Sequence, residues 1–178
     1  GAAATLNNIG ANGIFIDNAN NDFKGTLALT DAAGDVSVAN KNNINFALSN
    51  LGAGAFAVKS TGISQTGAIT QAALAGAVTL NGGSGIITLD NLANDFTGAV
   101  SLIGTNSVTI RDLNNIDFGT STLGSGAFTV NSIGMTQTGG AISQASGTGV
   151  VTLNSGAGAI ALNDTANDFR GAVSITNT

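Results

Sequence analysis

Short runs in which small and apolar residues alternate recur along the whole chain. Eight of them, at residues 3–6, 26–29, 55–58, 77–80, 99–102, 127–130, 150–153 and 172–175, read small or apolar, apolar, small, apolar. A period of two marks a strand with one buried face. The second and fourth residues are expected to point inward: Val78 and Leu80, Val100 and Leu102, Phe128 and Val130, Val151 and Leu153, Val173 and Ile175. A second strand is predicted shortly after each, with inward pairs Ile14 and Ile16, Val36 and Val38, Ile87 and Leu89, Val108 and Ile110, Ile160 and Leu162. A third station follows at Phe23, Phe46, Phe96, Phe118 and Phe169. Successive runs begin 23, 29, 22, 22, 28, 23 and 22 residues apart. No single turn of that size can bury its own apolar face, and stacking of neighbours supplies the core. The pattern predicts an all-β fold, a parallel β-helix (β-solenoid) of about seven turns of 22–29 residues with three strands per turn. At ~4.8 Å per layer, such a rod segment is about 34 Å long.

A longer period is superimposed. Asn-Asp-Phe stands at residues 21–23, 94–96 and 167–169, each copy 73 residues after the last, and Gly25, Gly98 and Gly171 follow at the same offset. Residues 21–93 and 94–166 align nearly end to end, with partial repeats at 1–20 and 167–178. The expected organisation is one β-solenoid segment over residues 1–178, an internal piece of a longer repeat protein, with three turns in each 73-residue unit. The two long spacings predict protruding loops after Phe46 and Phe118, at 47–54 and 119–126. The turns from Val58 and Val130 carry Gln65 and Gln71, or Gln137 and Gln144, where a third Phe is expected.

Composition supports strands over helices. Charged residues are 8%, against a usual quarter, all ten acids are Asp, and Gly (26) and Asn (22) are abundant. Pro, Cys, His, Trp and Tyr are absent, so every backbone N–H can join a ladder and thiol chemistry is excluded. The net charge of −5, with only five dispersed basic residues, leaves no footprint for nucleic acid. No apolar run reaches the roughly 18–20 residues of a membrane span.

Each candidate site competes with a structural role that the repeat itself supplies. The corners at 17–21, 90–94, 112–115 and 164–167 offer Asp and Asn oxygens that suit calcium. The same residues shape turns by bonding their own backbone, and stacked Asn side chains form amide ladders. Gly82-Gly83-Ser84-Gly85 continues with Ile86-Ile87, so the Asp of the calcium-binding nonapeptide is missing. Asp22, Asp95 and Asp168 are carboxylates, and adjacent turns offer pairs at the spacing of glycoside hydrolysis, Asp95 with Asp117 for example. Acids at equivalent corners in each copy lack the asymmetry such a pair requires. An outward hydroxyl column is predicted at Thr5, Thr79, Ser101, Thr129, Thr152 and Ser174, broken by Ala28 and Ala57, so it falls short of an ice-binding array. The glycines of Gly124-Ser125-Gly126 lack the basic partner and helix of a phosphate cradle. No catalytic, cofactor-binding or metal-ligating residue is assigned, and the expectation is a non-enzyme without cofactors.

The phrases Gly-Ala-Val-Thr-Leu-Asn (76–81), Asn-Asp-Phe-Thr-Gly-Ala-Val-Ser-Leu (94–102) and Gly-Ala-Ile-Thr-Gln (67–71) resemble the repeat regions of filamentous-haemagglutinin-like exoproteins. These are large bacterial surface proteins, secreted by the two-partner route or as autotransporters. The resemblance spans essentially the whole chain and implies a right-handed parallel β-helix, secreted and displayed at the bacterial surface. It implies the shaft of an adhesin or extracellular filament rather than its tip. The expected partners are neighbouring repeats of the same protein, by end-to-end or lateral self-association, and a cell-surface glycan or protein ligand. The alternative is a β-helix that binds or cleaves a glycan.

Overall fold

The computed structural model describes residues 1–104, 106–147 and 149–178. In chain order its strands are β1 (Ala4–Asn8), β2 (Ile14–Ile16), β3 (Thr26–Asp31), β4 (Val36–Ala39), β5 (Ile44–Phe46), β6 (Ser49–Leu51), β7 (Phe56–Lys59), β8 (Ile63–Gln65), β9 (Ile69–Gln71), β10 (Val78–Gly83), β11 (Ile87–Leu89), β12 (Val100–Gly104), β13 (Val108–Arg111), β14 (Asn115–Leu123), β15 (Phe128–Ser132), β16 (Gly134–Gln144), β17 (Val151–Ser155) and β18 (Val173–Asn177). Among the described residues there is no helix. The strands form two sheets, and their pairings are parallel. The first sheet stacks β1, β3, β5, β8, β11, β13, β15, β17 and β18, with β6 and β9 beside β3. The second stacks β2, β4, β7, β10, β12, β14 and β16. The β-solenoid expected from the alternation is therefore what forms, with about eight turns.

The coil is finer than the sequence spacing suggests. Register partners along the first sheet, from Ala4 over Leu27 to Val151 over Val173, lie 19 to 24 residues apart. Seven such steps carry the chain from Leu27 to Ile175, two residues beyond Val173, the equivalent of Leu27 two repeats on. One 73-residue repeat is thus three and a half turns, not three. The half turn exchanges the sheets. Leu27 and Leu29 lie in the first sheet, their equivalents Val100 and Leu102 in the second, and Val173 and Ile175 in the first again. The aromatic pairs obey the same exchange. Phe46 of the first sheet meets Phe56 of the second edge-on at 5.7 Å and 71°. Phe118 of the second meets Phe128 of the first at 5.9 Å and 72°.

This exchange corrects several expectations. The runs at 55–58, 77–80 and 99–102 belong to the second sheet, and those at 26–29, 127–130 and 150–153 to the first. Either sheet accepts the same alternation, so sequence similarity cannot distinguish them. The 29- and 28-residue spacings are the places where the run changes sheet, not insertions. Segments 47–54 and 119–126 are accordingly not protruding loops. They contain β6 and the end of β14, with Ser49, Leu51, Ser121 and Leu123 buried. Each serine hydroxyl accepts the N–H of the neighbouring layer, Leu29 at 3.2 Å and Leu102 at 3.0 Å. The expected third Phe column is dispersed: Phe46 and Phe118 stand in opposite sheets, Phe96 is buried, and Phe23 and Phe169 are half-buried.

One apolar cluster fills the space between the sheets from Ile14 to Leu153. Val78, Leu80, Val100, Leu102, Phe128, Val130, Val151 and Leu153 are all buried in it, as their spacing predicts. Ile160 and Leu162 are only half-buried, and Val173 and Ile175 of β18 are exposed.

Spin labels on a Thr79→Cys/Thr152→Cys variant test the half-turn repeat. These residues are 73 apart on the outer faces of β10 and β17. Opposite faces place the labels roughly 25–30 Å apart, whereas three whole turns on one face would place them about 15 Å apart, by the layer and sheet spacings. A pulsed electron–electron distance near the shorter value would rule out the exchange.

Candidate functional site

The three Asn-Asp-Phe copies build one corner. Asn18, Asn91 and Asp164 each accept, on a side-chain oxygen, the N–H two residues on, at 2.9, 3.0 and 2.8 Å. The N–H of the tag asparagine then donates back three residues, from Asn21 to Asn18, Asn94 to Asn91 and Asn167 to Asp164. Its side-chain amide donates to the carbonyl closing the preceding strand, Ile16 at 2.7 Å, Leu89 at 3.1 Å and Leu162 at 3.2 Å. These are side-chain turns of the kind Asn and Asp favour. Of the oxygens considered for calcium, those of Asn18, Asn91, Asp112 and Asp164 accept backbone N–H groups and Asp90 accepts from Arg111, and among the described residues no three acids come together.

The glutamines explain the tag asparagine. Gln65 and Asn94 exchange amide hydrogen bonds in both directions at 2.8 Å, and Gln137 and Asn167 do so at 2.8 and 2.9 Å. Asn94 Oδ1 also accepts the N–H of Ile69 at 2.9 Å, and Asn167 Oδ1 that of Ile142 at 2.8 Å. Gln71 and Gln144 clamp the following turn, accepting the N–H of Gly98 and of Gly171. A glutamine amide can satisfy backbone where the ladder breaks at a corner, which a Phe in that place cannot. The tag glycines have a different cause. A Cβ on Gly25, Gly98 or Gly171 would overlap the carbonyl oxygen of Ala2, Gly76 or Gly149 in the layer below.

The tag aspartates do not assemble a catalytic group. Asp22 is held by Lys41 at 3.0 Å and Lys24 at 3.5 Å, and the Lys41 contact keeps its carboxyl below the usual range. Asp168 pairs with Arg170 at 2.6 Å, and Asp95 accepts from Asn114 at 3.3 Å. Asp95 and Asp117 are not the pair that adjacent turns suggested. Asp95 bridges to Thr70 of the first sheet, while Asp117 lies in β14 of the second and is bonded by Thr136 and Thr138. In the next layer Asn114, not Asp117, lies against Asp95.

The acid with unusual properties is Asp112. It is buried, and its two carboxylate oxygens accept the N–H groups of Phe96 at 2.8 Å and Asn114 at 2.7 Å. Burial pushes the carboxyl up to about 6, opposed by those two N–H groups and reinforced by Asp95. A raised carboxyl is a feature of general acids. Here the other repeat supplies the explanation. Asn40 occupies the equivalent place, and its Oδ1 accepts the N–H of Phe23 at 2.8 Å, as Asp112 does for Phe96. The bond is architectural, and Asp112 is a charged version of an asparagine clamp.

Beside Asp112 lies a groove of about 420 Å³ lined by Leu92, Leu113, Ile133, Asn131, Asn154 and Thr176, among others. Sequence reading missed it, because corner residues that close successive layers of one sheet are about 20 positions apart. The outward hydroxyls are also redistributed. Thr129, Thr152 and Ser174 continue a column with Thr109 and Thr88 on the first sheet, while Thr79 and Ser101 stand on the second.

Residues 33–103 and 105–176 each match the family described as repeats of unknown function (DUF5649). The chain belongs to this family. Each match spans one sheet-exchanging unit of three and a half turns. Among curated proteins and solved structures, nothing matches the chain.

Two substitutions test the corner chemistry of this chain. Asn94→Ala removes both amide bonds to Gln65 and leaves the Ile69 N–H without its acceptor, and an expected loss of about 2–4 kcal/mol would be read from urea unfolding. A loss within 0.5 kcal/mol, the range of ordinary surface changes, would show the clamp to be dispensable. For Asp112 the sign is unusual. Its folded-state pKa lies above the unfolded 3.8, so its stabilising contribution is full below that pH and is lost as pH rises through about 6. Asp112→Asn keeps one of the two acceptors, as Asn40 does, and removes the titration, so its stability relative to the wild type should rise by up to about 3 kcal/mol between pH 4 and pH 7. A difference independent of pH would contradict this assignment.

Proposed function

We propose that this solenoid is a structural shaft segment of a secreted bacterial cell-surface adhesin or extracellular filament, without catalysis of its own. The observation that carries the reading is the use of the tag residues. In each copy the Asn, and the Gln paired with it in two of the three, bond the chain's own backbone, and the Gly admits the next layer. Residues repeated in this way maintain a coil rather than meet a substrate. Continuous parallel ladders around one apolar core give a stiff rod whose length grows by a fixed step per repeat. The resemblance of the repeats to filamentous-haemagglutinin-like exoproteins supports the extracellular setting. A glycan-binding or glycan-cleaving role draws only on the groove beside Asp112, whose carboxylate oxygens already hold two N–H groups.

Electron microscopy of the full-length parent protein, together with a variant lacking one 73-residue repeat, tests the shaft. Rods that shorten by about 17 Å per repeat removed are expected, from three and a half layers of ~4.8 Å. Globular particles, or release of new reducing ends from surface polysaccharide, would overturn it.

A further inference from the structure

Asn-Gly pairs stand at Asn12-Gly13 and at Asn81-Gly82, and the coil places them in opposite settings. In such a pair the backbone nitrogen of the glycine can attack the asparagine Cγ, because no side chain on the glycine crowds the approach. Closing the resulting succinimide ring requires the main chain to leave the extended conformation of a strand. A ladder therefore opposes the reaction, and an unpaired loop permits it.

Asn12 lies between β1 and β2, outside both ladders, and is exposed. Ala11, Asn12 and Gly13 make no hydrogen bond among the described residues. Nothing there holds the Asn12 amide away from the Gly13 nitrogen. The glycine itself is required by the fold. Gly13 has a φ of 81°, and a Cβ there would overlap the carbonyl oxygen of Asp35 in the next layer. Gly85 and Gly158 stand in the place of Asn12 in the two following copies, so the pair occurs at this corner once. Asn81 is held instead. It lies within β10 and pairs with Lys59 on one side and Ile103 on the other. Its carbonyl accepts the N–H of Ser60 at 2.9 Å, and its Oδ1 accepts the N–H of Gly83 at 3.0 Å. Gly82 is buried. Attack at this pair requires the strand to open first, and core strands open at a cost approaching that of global unfolding.

We propose that Asn12 is a site of spontaneous deamidation, and that the β10 ladder protects Asn81 from the same reaction. The Gly13 nitrogen gives its proton to solvent base and attacks Asn12 Cγ. A new N–C bond forms, the C–N bond of the side-chain amide breaks, and the amide nitrogen takes a proton from water and leaves as ammonia. Water then opens the succinimide at either carbonyl, which yields aspartate or isoaspartate. Either product adds a negative charge to the loop between β1 and β2. Isoaspartate also carries the main chain through its Cβ, which lengthens the step into β2, where the Ile14 N–H donates to the Asp35 carbonyl at 2.9 Å. The inference is independent of the shaft reading, since it concerns a covalent change in one loop and not the use of the coil.

Trypsin separates the two pairs, since cleavage after Lys24 releases residues 1–24 and cleavage after Lys59 and Arg111 releases residues 60–111. The folded protein is aged at mildly alkaline pH, and electron-transfer mass spectrometry of these peptides measures asparagine, aspartate and isoaspartate at each position. Asn12 is expected to convert at least about tenfold faster than Asn81, with isoaspartate among its products and a rate that rises with pH. In concentrated urea, with loss of the strands confirmed by circular dichroism, the two pairs are expected to convert at rates within about threefold of each other, because the ladder no longer separates them. Equal rates at the two pairs in the folded protein would overturn the proposal. So would an Asn12 that stays intact in the folded protein while it converts in urea, or conversion to aspartate alone, which marks direct hydrolysis without the succinimide.

Discussion

Each layer of this protein must lie ~4.8 Å from the next, the distance set by parallel backbone hydrogen bonds. Within strands that spacing is satisfied automatically. At the corners the chain turns, the ladder breaks, and backbone groups lose their partners. The residues that recur with the 73-residue period are those that repair the corners. Asparagine returns an amide to the strand it has just left, and glutamine in an adjacent layer meets it. Glycine stands where a Cβ would collide with the carbonyl below. Ser49 and Ser121 catch an N–H of a neighbouring layer from inside. The apolar core supplies the driving force for stacking, and these polar contacts determine where each layer can turn.

The half-turn repeat has a consequence for how such a rod presents itself. A repeat of whole turns would align equivalent residues on one face. With three and a half turns, consecutive repeats present equivalent corners on opposite faces, as the Phe46–Phe56 and Phe118–Phe128 pairs show. The two faces can then diverge in chemistry while the backbone stays the same. The lysine-bearing corner at Lys41 and Lys59 and the aliphatic corner at Leu113 and Ile133 have diverged in this way. Asn40 and Asp112 show a milder case, one clamp made neutral in one repeat and ionisable in the next. Membership of a repeat family fits this picture, since the unit that is copied is the one that restores the backbone after three and a half turns.

Much of this was legible in the sequence. Alternation of small and apolar residues named the inward side chains Val78, Leu80, Val151 and Leu153, because a strand with one buried face has no other way to distribute them. Recurrence every 73 residues announced a repeat architecture, and abundant Asn and Gly with no Pro announced tight corners between ladders. Those inferences rest on local chemistry, which the sequence contains in full. What the sequence left open is which sheet each strand joins. The runs at 26–29 and 99–102 are nearly interchangeable, yet they lie on opposite sheets, since either inner face accepts the same pattern. That choice depends on how many residues fill each turn, and stacking against the previous layer sets the number. The partnership of Gln65 with Asn94, the placing of Asn114 rather than Asp117 against Asp95 and the joining of Leu92, Leu113 and Ile133 along one groove follow from it. Each is a relation between residues about 20 or more positions apart, and only the coil brings them together or holds them apart.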